Sequence, residues 1–233
     1  MRNIFYTVFI VFLTFVSCQK NENIKNKNKI DELVLDSIAK TYDGKIDLYR
    51  GFSIDNGKKI NYIELNIEKS TTLEDYKYYK HLPPSNIAYI LDYFFKQNQL
   101  QYDKYKINLQ YEDGLRAYEY SSKKLSMIRS CYDKTIRFCN YWKNKDYNQI
   151  DLETHHDIFE FDTNDFIKLA KSIDEKKGDI EGFIITGFNF NKTDSGKEFV
   201  KTYGILKRGD ESSLFTFYIN TVDYNVIAMD LKW

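Results

Sequence analysis

Residues 178–233, GDIEGFIITGFNFNKTDSGKEFVKTYGILKRGDESSLFTFYINTVDYNVIAMDLKW, decide the fold. Four apolar and aromatic runs stand out: Ile180–Phe190, Lys197–Lys207, Ser213–Asn220 and Tyr224–Lys232. Turn formers separate them, namely Asp194-Ser195-Gly196, Arg208-Gly209-Asp210 and Asp223. β-branched and aromatic side chains bounded by Gly, Asp and Ser clusters read as strands. Connections this short join neighbouring strands, so the stretch predicts an antiparallel meander.

Working back towards the N-terminus, the period changes. Phe166, Ile167, Leu169, Ala170 and Ile173 recur at helical spacing after Thr163, a residue suited to capping. Lys176-Lys177-Gly178 closes that helix with cations and then glycine. Before it, Leu125, Ile128, Tyr132, Ile136, Cys139 and Trp142 step by threes and fours through Ser122–Trp142, a long amphipathic helix. The stripe Leu125, Ile128, Tyr132 and Ile136 is expected to pack on the concave face of the meander, with Trp142 and Phe217 filling any cavity there.

Two helices followed by a four-strand meander resemble the cystatin-like or nuclear-transport-factor-2-like domains of bacterial lipoproteins and secreted proteins. The resemblance is carried by Phe166-Ile167-Lys168-Leu169, Lys177-Gly178-Asp179-Ile180, Ile184-Ile185-Thr186-Gly187-Phe188-Asn189, Val200-Lys201-Thr202-Tyr203 and the closing strand to Trp233. It implies an α+β region over 122–233, with a curved antiparallel sheet packed by helices. Enzymes of that fold place a His–Asp pair or a carboxylate in a cone-shaped cavity. A buried carboxylate among Tyr203, Phe217 and Phe188 would serve here, but no local motif marks one.

The preceding part, 30–121, predicts a smaller α+β region. Ile30, Leu33, Val34 and Ile38 give a short helix. Lys45–Phe52 and Lys59–Glu68 flank Asp55-Asn56-Gly57, a hairpin signal. Pro83-Pro84 interrupts the chain, Ser85 or Asn86 caps the next helix, and Ile87, Ile90, Leu91, Phe94 and Phe95 form its apolar stripe. Lys104–Tyr111 and Leu115–Tyr120 flank Asp113-Gly114 as a second hairpin.

The extreme N-terminus speaks to location. Arg2 precedes the uncharged, mostly apolar run Ile4–Val16, and Phe15-Val16-Ser17-Cys18 reads as a lipobox. Residues 1–17 are then a lipoprotein signal peptide, and Cys18 is the lipidation site. An ordinary secretory signal and a short uncleaved anchor are the alternatives. Several acyl chains on one residue anchor a protein durably, where one chain binds only marginally. Gln19–Lys29, QKNENIKNKNK, is nearly free of apolar side chains and behaves as a solvated tether, so 18–29 is a lipidated linker. The expected place is the bacterial cell envelope, the outer membrane before the inner. Cys18-Gln19-Lys20 with Glu22 resembles a degenerate surface-export signal.

Removal of residues 1–17 leaves 33 basic and 34 acidic side chains. A near-neutral domain has no electrostatic reason to seek nucleic acid. Cys131 and Cys139 lie eight apart on a helix, about 12 Å, too far for a disulfide. His155-His156-Asp157, with Glu153 nearby, is the cluster of metal-ligand types. Adjacent histidines on extended chain point to opposite faces, so the reading is a solvated loop. His81 reads as a surface loop residue. Tyr76, Tyr78 and Tyr79 resemble a binding surface, although covering an aromatic-rich core is the reading preferred. Gly-x-Ser-x-Gly and glycine-rich phosphate loops are absent. No catalytic, metal or cofactor-binding residue is assigned, and no cofactor is expected. The sequence thus predicts a membrane-anchored protein with a non-catalytic ectodomain that binds a protein or small ligand. The alternatives are a cavity-bearing carrier or enzyme, and an immunity-type protein that neutralises a periplasmic toxin.

Overall fold

The computed structural model describes residues 29–154 and 163–232. The lipobox, Cys18, the tether up to residue 28, and His155-His156-Asp157 lie outside the described residues. What is described is an α+β protein with two four-stranded sheets.

Helix α1 (29–39) leads into β1 (Lys45–Asp55), which turns through Asn56 and Gly57, both at positive φ, into β2 (Lys58–Glu68). Positive φ at two central residues is the hairpin geometry that matches strand twist. A short helix α2 (Thr71–Asp75) and α3 (Leu82–Gln97) carry the chain to β3 (Lys104–Tyr111), which pairs parallel to β2. The turn at Gly114 returns it as β4 (Gly114–Ser121). The two expected hairpins are therefore joined side by side into one mixed sheet, β1-β2-β3-β4. The period-2 pattern fixes which face each strand buries but carries no information on which strand lies beside it.

Helix α4 (Ser122–Lys143), the short α5 (Tyr147–Leu152) and α6 (Thr163–Lys177) precede the meander: β5 (Gly182–Lys192), β6 (Glu198–Arg208), β7 (Glu211–Asn220) and β8 (Val226–Lys232). These strands form a wholly antiparallel sheet in chain order. α4 covers its inner face. Phe138 meets Phe217 with ring centroids 4.6 Å apart, and Thr135 Oγ lies 2.8 Å from Thr202 Oγ in the buried seam. Trp142 and Phe217 are both buried. Ile136, expected in the packing stripe, is instead 39% exposed. The buried stripe runs through Leu125, Ile128, Cys131, Tyr132, Thr135, Phe138, Cys139 and Trp142, so Tyr132 lies in it as expected while the stripe as a whole is rotated slightly from the spacing expected. Cys131 and Cys139 are free, buried thiols, and burial pushes the Cys131 thiol up to about 12 and Cys139 higher still.

α3 joins the two sheets, touching β3 and β4 of one and β5 of the other. Pro83 and Pro84 do not stop the chain ahead of this helix; they form its first turn, where fixed φ is pre-organised and the missing N–H has no partner to lose. Ser85 is no cap either. Its hydroxyl donates to the Leu82 carbonyl (2.9 Å) and accepts from the Phe188 N–H (3.0 Å) on β5. A bulge between Ile185 and Gly187 locally breaks the strand register. A Cβ on Gly187 would lie 2.7 Å from Ser85 Oγ and 2.9 Å from the Leu82 carbonyl, so glycine permits the contact.

Candidate functional site

The outer faces of the two sheets differ in chemistry, and that difference locates the candidate site. Across the first sheet, Glu64 pairs with Lys106, Asn66 with Asn108, and Lys106 with Glu119. The Asn108 amide donates to Glu64 (3.0 Å) and Asn66 (2.8 Å), and Lys104 pairs with Glu119 at 2.7 Å. This is a solvated polar ladder. On the second sheet the corresponding face carries Ile184, Ile205 and Leu214 in cross-strand register, followed by Tyr203 beside Thr216. Ile184 is 66% exposed and Leu214 45%. Large aliphatic side chains in adjacent register make a continuous apolar strip, unlike scattered surface hydrophobics.

The segment between α2 and α3 forms the second wall of a cleft of about 180 Å³. Asp75, Tyr76, Tyr79 and Leu82 line it on one side, and Tyr203, Ile205, Leu214 and Thr216 on the other. Local hydrogen bonds hold this segment. Asp43 accepts from the Thr71 and Thr72 amides (3.1 and 2.8 Å) and from the Ser70 hydroxyl (2.7 Å). Those bonds, together with the Thr71 hydroxyl as the largest contributor, hold the Asp43 carboxyl well below the usual carboxylate range. The Tyr79 N–H donates to the Tyr76 carbonyl (2.7 Å), and the Tyr118 hydroxyl donates to the Lys80 carbonyl (3.1 Å). Lys80 also pairs with Asp113 in the β3–β4 turn. The tyrosine segment is thus strapped to the first sheet while it faces the second.

The three tyrosines divide. Tyr76 is half-buried against the core beside Tyr42, as covering of the core requires. Tyr78 is 81% exposed and Tyr79 stands at the cleft mouth. His81, expected in a surface loop, is instead half-buried at the start of α3, its ring centre 5.2 Å from that of Tyr203 in an edge-on contact. Its Nε2 is buried and accepts no hydrogen bond. Burial, and then the charge of Lys201, pull its pKa below the usual value. Nothing in the local sequence signals this, because Tyr203 lies far along the chain.

A buried carboxylate does occur, away from Tyr203, Phe188 and Phe217. Asp174 on α6 accepts from Trp142 Nε1 (3.0 Å), the Tyr147 hydroxyl (2.7 Å) and Arg208 Nη1 (2.6 Å). The Arg208 guanidinium lies 5.3 Å from the Trp142 ring centre. One carboxylate thus gathers donors from α4, α5 and β6, so Asp174 braces the helices on the sheet. Its position four residues after Ala170, on the buried stripe, was the one available signal. Glu153, noted beside the histidines, pairs with Lys134 and Arg137. Burial works against its charge, but the two cations prevail and lower its pKa. Among the described residues, no group of three His, Cys, Asp or Glu is placed to hold a metal. Among the same residues no helix is long and apolar enough to cross a membrane.

No protein-family model matches this chain, and no curated protein matches it. Among solved structures it is similar to Bdellovibrio bacteriovorus Bd1075, at 9% identity and a TM-score of 0.34, over 81% of this chain and 76% of that one. A likeness at that level carries no functional argument.

Proposed function

We propose that this chain is a lipid-anchored protein of the bacterial envelope, held through Cys18 and favouring the outer membrane, whose ectodomain binds a protein partner without catalysis. Its C-terminal half is read as a cystatin-like or nuclear-transport-factor-2-like domain, on the strength of a long helix laid against the inner face of a four-strand meander. The observation that carries the binding role is the apolar strip Ile184–Ile205–Leu214 running into the tyrosine-walled cleft. Burying each aliphatic side chain under a partner is worth about 1.5–3 kcal/mol, and rigid tyrosines add contact area at low entropy cost. A carrier or enzyme would need open space between helices and sheet. Phe138, Trp142 and Phe217 occupy that position.

The test has two arms. Radiolabelled palmitate and fractionation of wild type and Cys18→Ala address the anchor; absent label with unchanged membrane partition overturns it. A photo-crosslinking amino acid at Leu214 or, as control, at Asn108 addresses the face. A discrete crosslink from Leu214 that Tyr79→Ala removes supports the cleft as the binding site. Equal yields from both positions overturn it.

A further inference from the structure

The β1–β2 hairpin carries the core-facing pattern of its sheet past the end of the core. Ile46, Leu48, Arg50, Phe52 and Ile54 alternate onto one side of β1. Ile46 and Leu48 pair with Ile67 and Leu65, and pack against the core. Arg50 marks where the cover stops: it pairs with Asp31 of α1, donates to the Tyr102 hydroxyl (2.8 Å), and lies 5.7 Å from the Phe95 ring centre. Beyond it, Phe52 is 59% exposed and Ile54 72%. The third strand begins pairing at Tyr62 with Lys104, after Asp103 closes on Asn61. The tip is therefore a bare two-stranded ribbon. Lys58 and Lys59 are exposed at its turn, and Lys59 lies 4.7 Å from the Phe52 ring centre.

The position of this tip relative to the chain's path gives it an occupant. The Asp31–Arg50 pair places the N-terminal end of α1 beside the ribbon. Residues 19–28 separate that point from Cys18. Ten residues reach about 35 Å at most. A lipid on Cys18 thus brings the bilayer close to the pole of the molecule where Phe52 and Ile54 stand uncovered. We propose that this hairpin tip rests on the phospholipid bilayer surface, with Phe52 and Ile54 entering the headgroup boundary and Lys58 and Lys59 meeting anionic headgroups. Aromatic and aliphatic side chains flanked by lysine suit that boundary. The tether supplies a high local concentration, so a contact too weak to hold a free protein is occupied in an anchored one. The α3 helix, 16 residues and about 24 Å long, has its N-terminal end at the tyrosine cleft and leads at its other end to Leu100–Tyr102 beside the tip. Contact at the tip leaves the cleft clear of the membrane.

The inference rests on the anchor at Cys18. The test uses the full chain extracted from membranes, with the state of Cys18 read by mass spectrometry, reconstituted into vesicles with and without anionic phospholipid. An environment-sensitive fluorophore is attached at Asn61→Cys, which pairs with Phe52 and shares its face, or, as control, at Ser212→Cys; the buried native thiols do not compete. Expected are a blue shift at position 61 and quenching by headgroup nitroxide lipids, strongest with anionic vesicles, and neither effect at position 212. The double change Phe52→Ser with Ile54→Ser removes both effects while Cys18 stays lipidated. Lipidated Cys18 with a probe at position 61 that stays in water overturns the inference and leaves the anchor standing. A blue shift without nitroxide quenching, with crosslinks between copies, overturns it in favour of pairing through the free β1 edge. Unmodified Cys18 overturns the anchor and this inference with it.

Discussion

The two sheets have the same number of strands and the same alternating burial along their central strands, yet they use their outer faces differently. The first sheet closes its outer face with a polar ladder, Glu64, Asn66, Lys106, Asn108 and Glu119, that needs nothing but water. The second leaves Ile184, Ile205 and Leu214 in register beside a cleft. The inner faces differ as well. The first buries Ile63, Leu65, Ile67, Ile107 and Leu109 together with Tyr105 and Tyr111, and its polar knot lies in the covering helices, where Asp92 takes Lys96 and Ser122. The second carries two polar knots, Thr135 with Thr202 and Asp174 with Arg208. Paired polar groups accept one arrangement of the elements they join, and in the second sheet they tie a strand side chain directly to a covering helix. The sheet that exposes the apolar strip is thus one whose β6 strand is pinned to α4 and α6 by polar side chains.

The strongest break of this contrast is at the inner face of the second sheet. Asp174→Ala leaves the Arg208 guanidinium, with a side chain 1% exposed, buried without its carboxylate. The expected loss is roughly 3–5 kcal/mol, read by urea unfolding. Ile128→Asp is expected to cost several kcal/mol for the same reason in reverse, an unpaired carboxylate in the core; melting like wild type would place Ile128 in water and refute the α4 packing. Next is the joint between the sheets. Gly187→Ala forces a Cβ against Ser85 and the Leu82 carbonyl, with an expected cost of about 1–3 kcal/mol. A neutral result would mean α3 does not seat tightly on β5.

Smaller effects sharpen the outer faces. Leu214→Asp is expected to change stability by no more than about 0.5 kcal/mol while abolishing the Leu214-side partner contact. Asn108→Asp, on the polar ladder, leaves partner binding unchanged. Loss of binding in both would show that the strip is not the contact surface. The smallest effect is a pH dependence at His81. Its folded pKa lies below the unfolded value of about 6.5, so its stabilising contribution is present above that pH and declines as pH falls through the folded pKa. The urea midpoint of the wild type should fall on acidification across this window, and His81→Gln should flatten that part of the profile.

The elements were legible because their signals are local. Asn56-Gly57, Gly114 and Gly209 mark the turns, and the strand limits of the meander come from the alternation around them. The helical stripe of α4 was readable to within a small rotation, enough to bring in Cys131 and Thr135 and turn Ile136 towards water. α2 and α5, at five and six residues, are illegible in the sequence, since one turn of helix carries no period. Pro83-Pro84 is ambiguous because proline suits both the residue after a break and the first turn of a helix.

The amino-acid sequence by itself determined the α+β class, the four-strand meander and the long helix before it, and it carries the expectation of a lipid on Cys18. Each depends on residues adjacent in the chain or one helical turn apart. The parallel seam between β2 and β3, the seating of α3 between two sheets, the contact of His81 with Tyr203 and the Asp174–Arg208 brace were decided only by tertiary structure. They join residues distant in sequence, and the pairing that wins is the one that buries apolar surface while finding partners for the polar groups carried in with it.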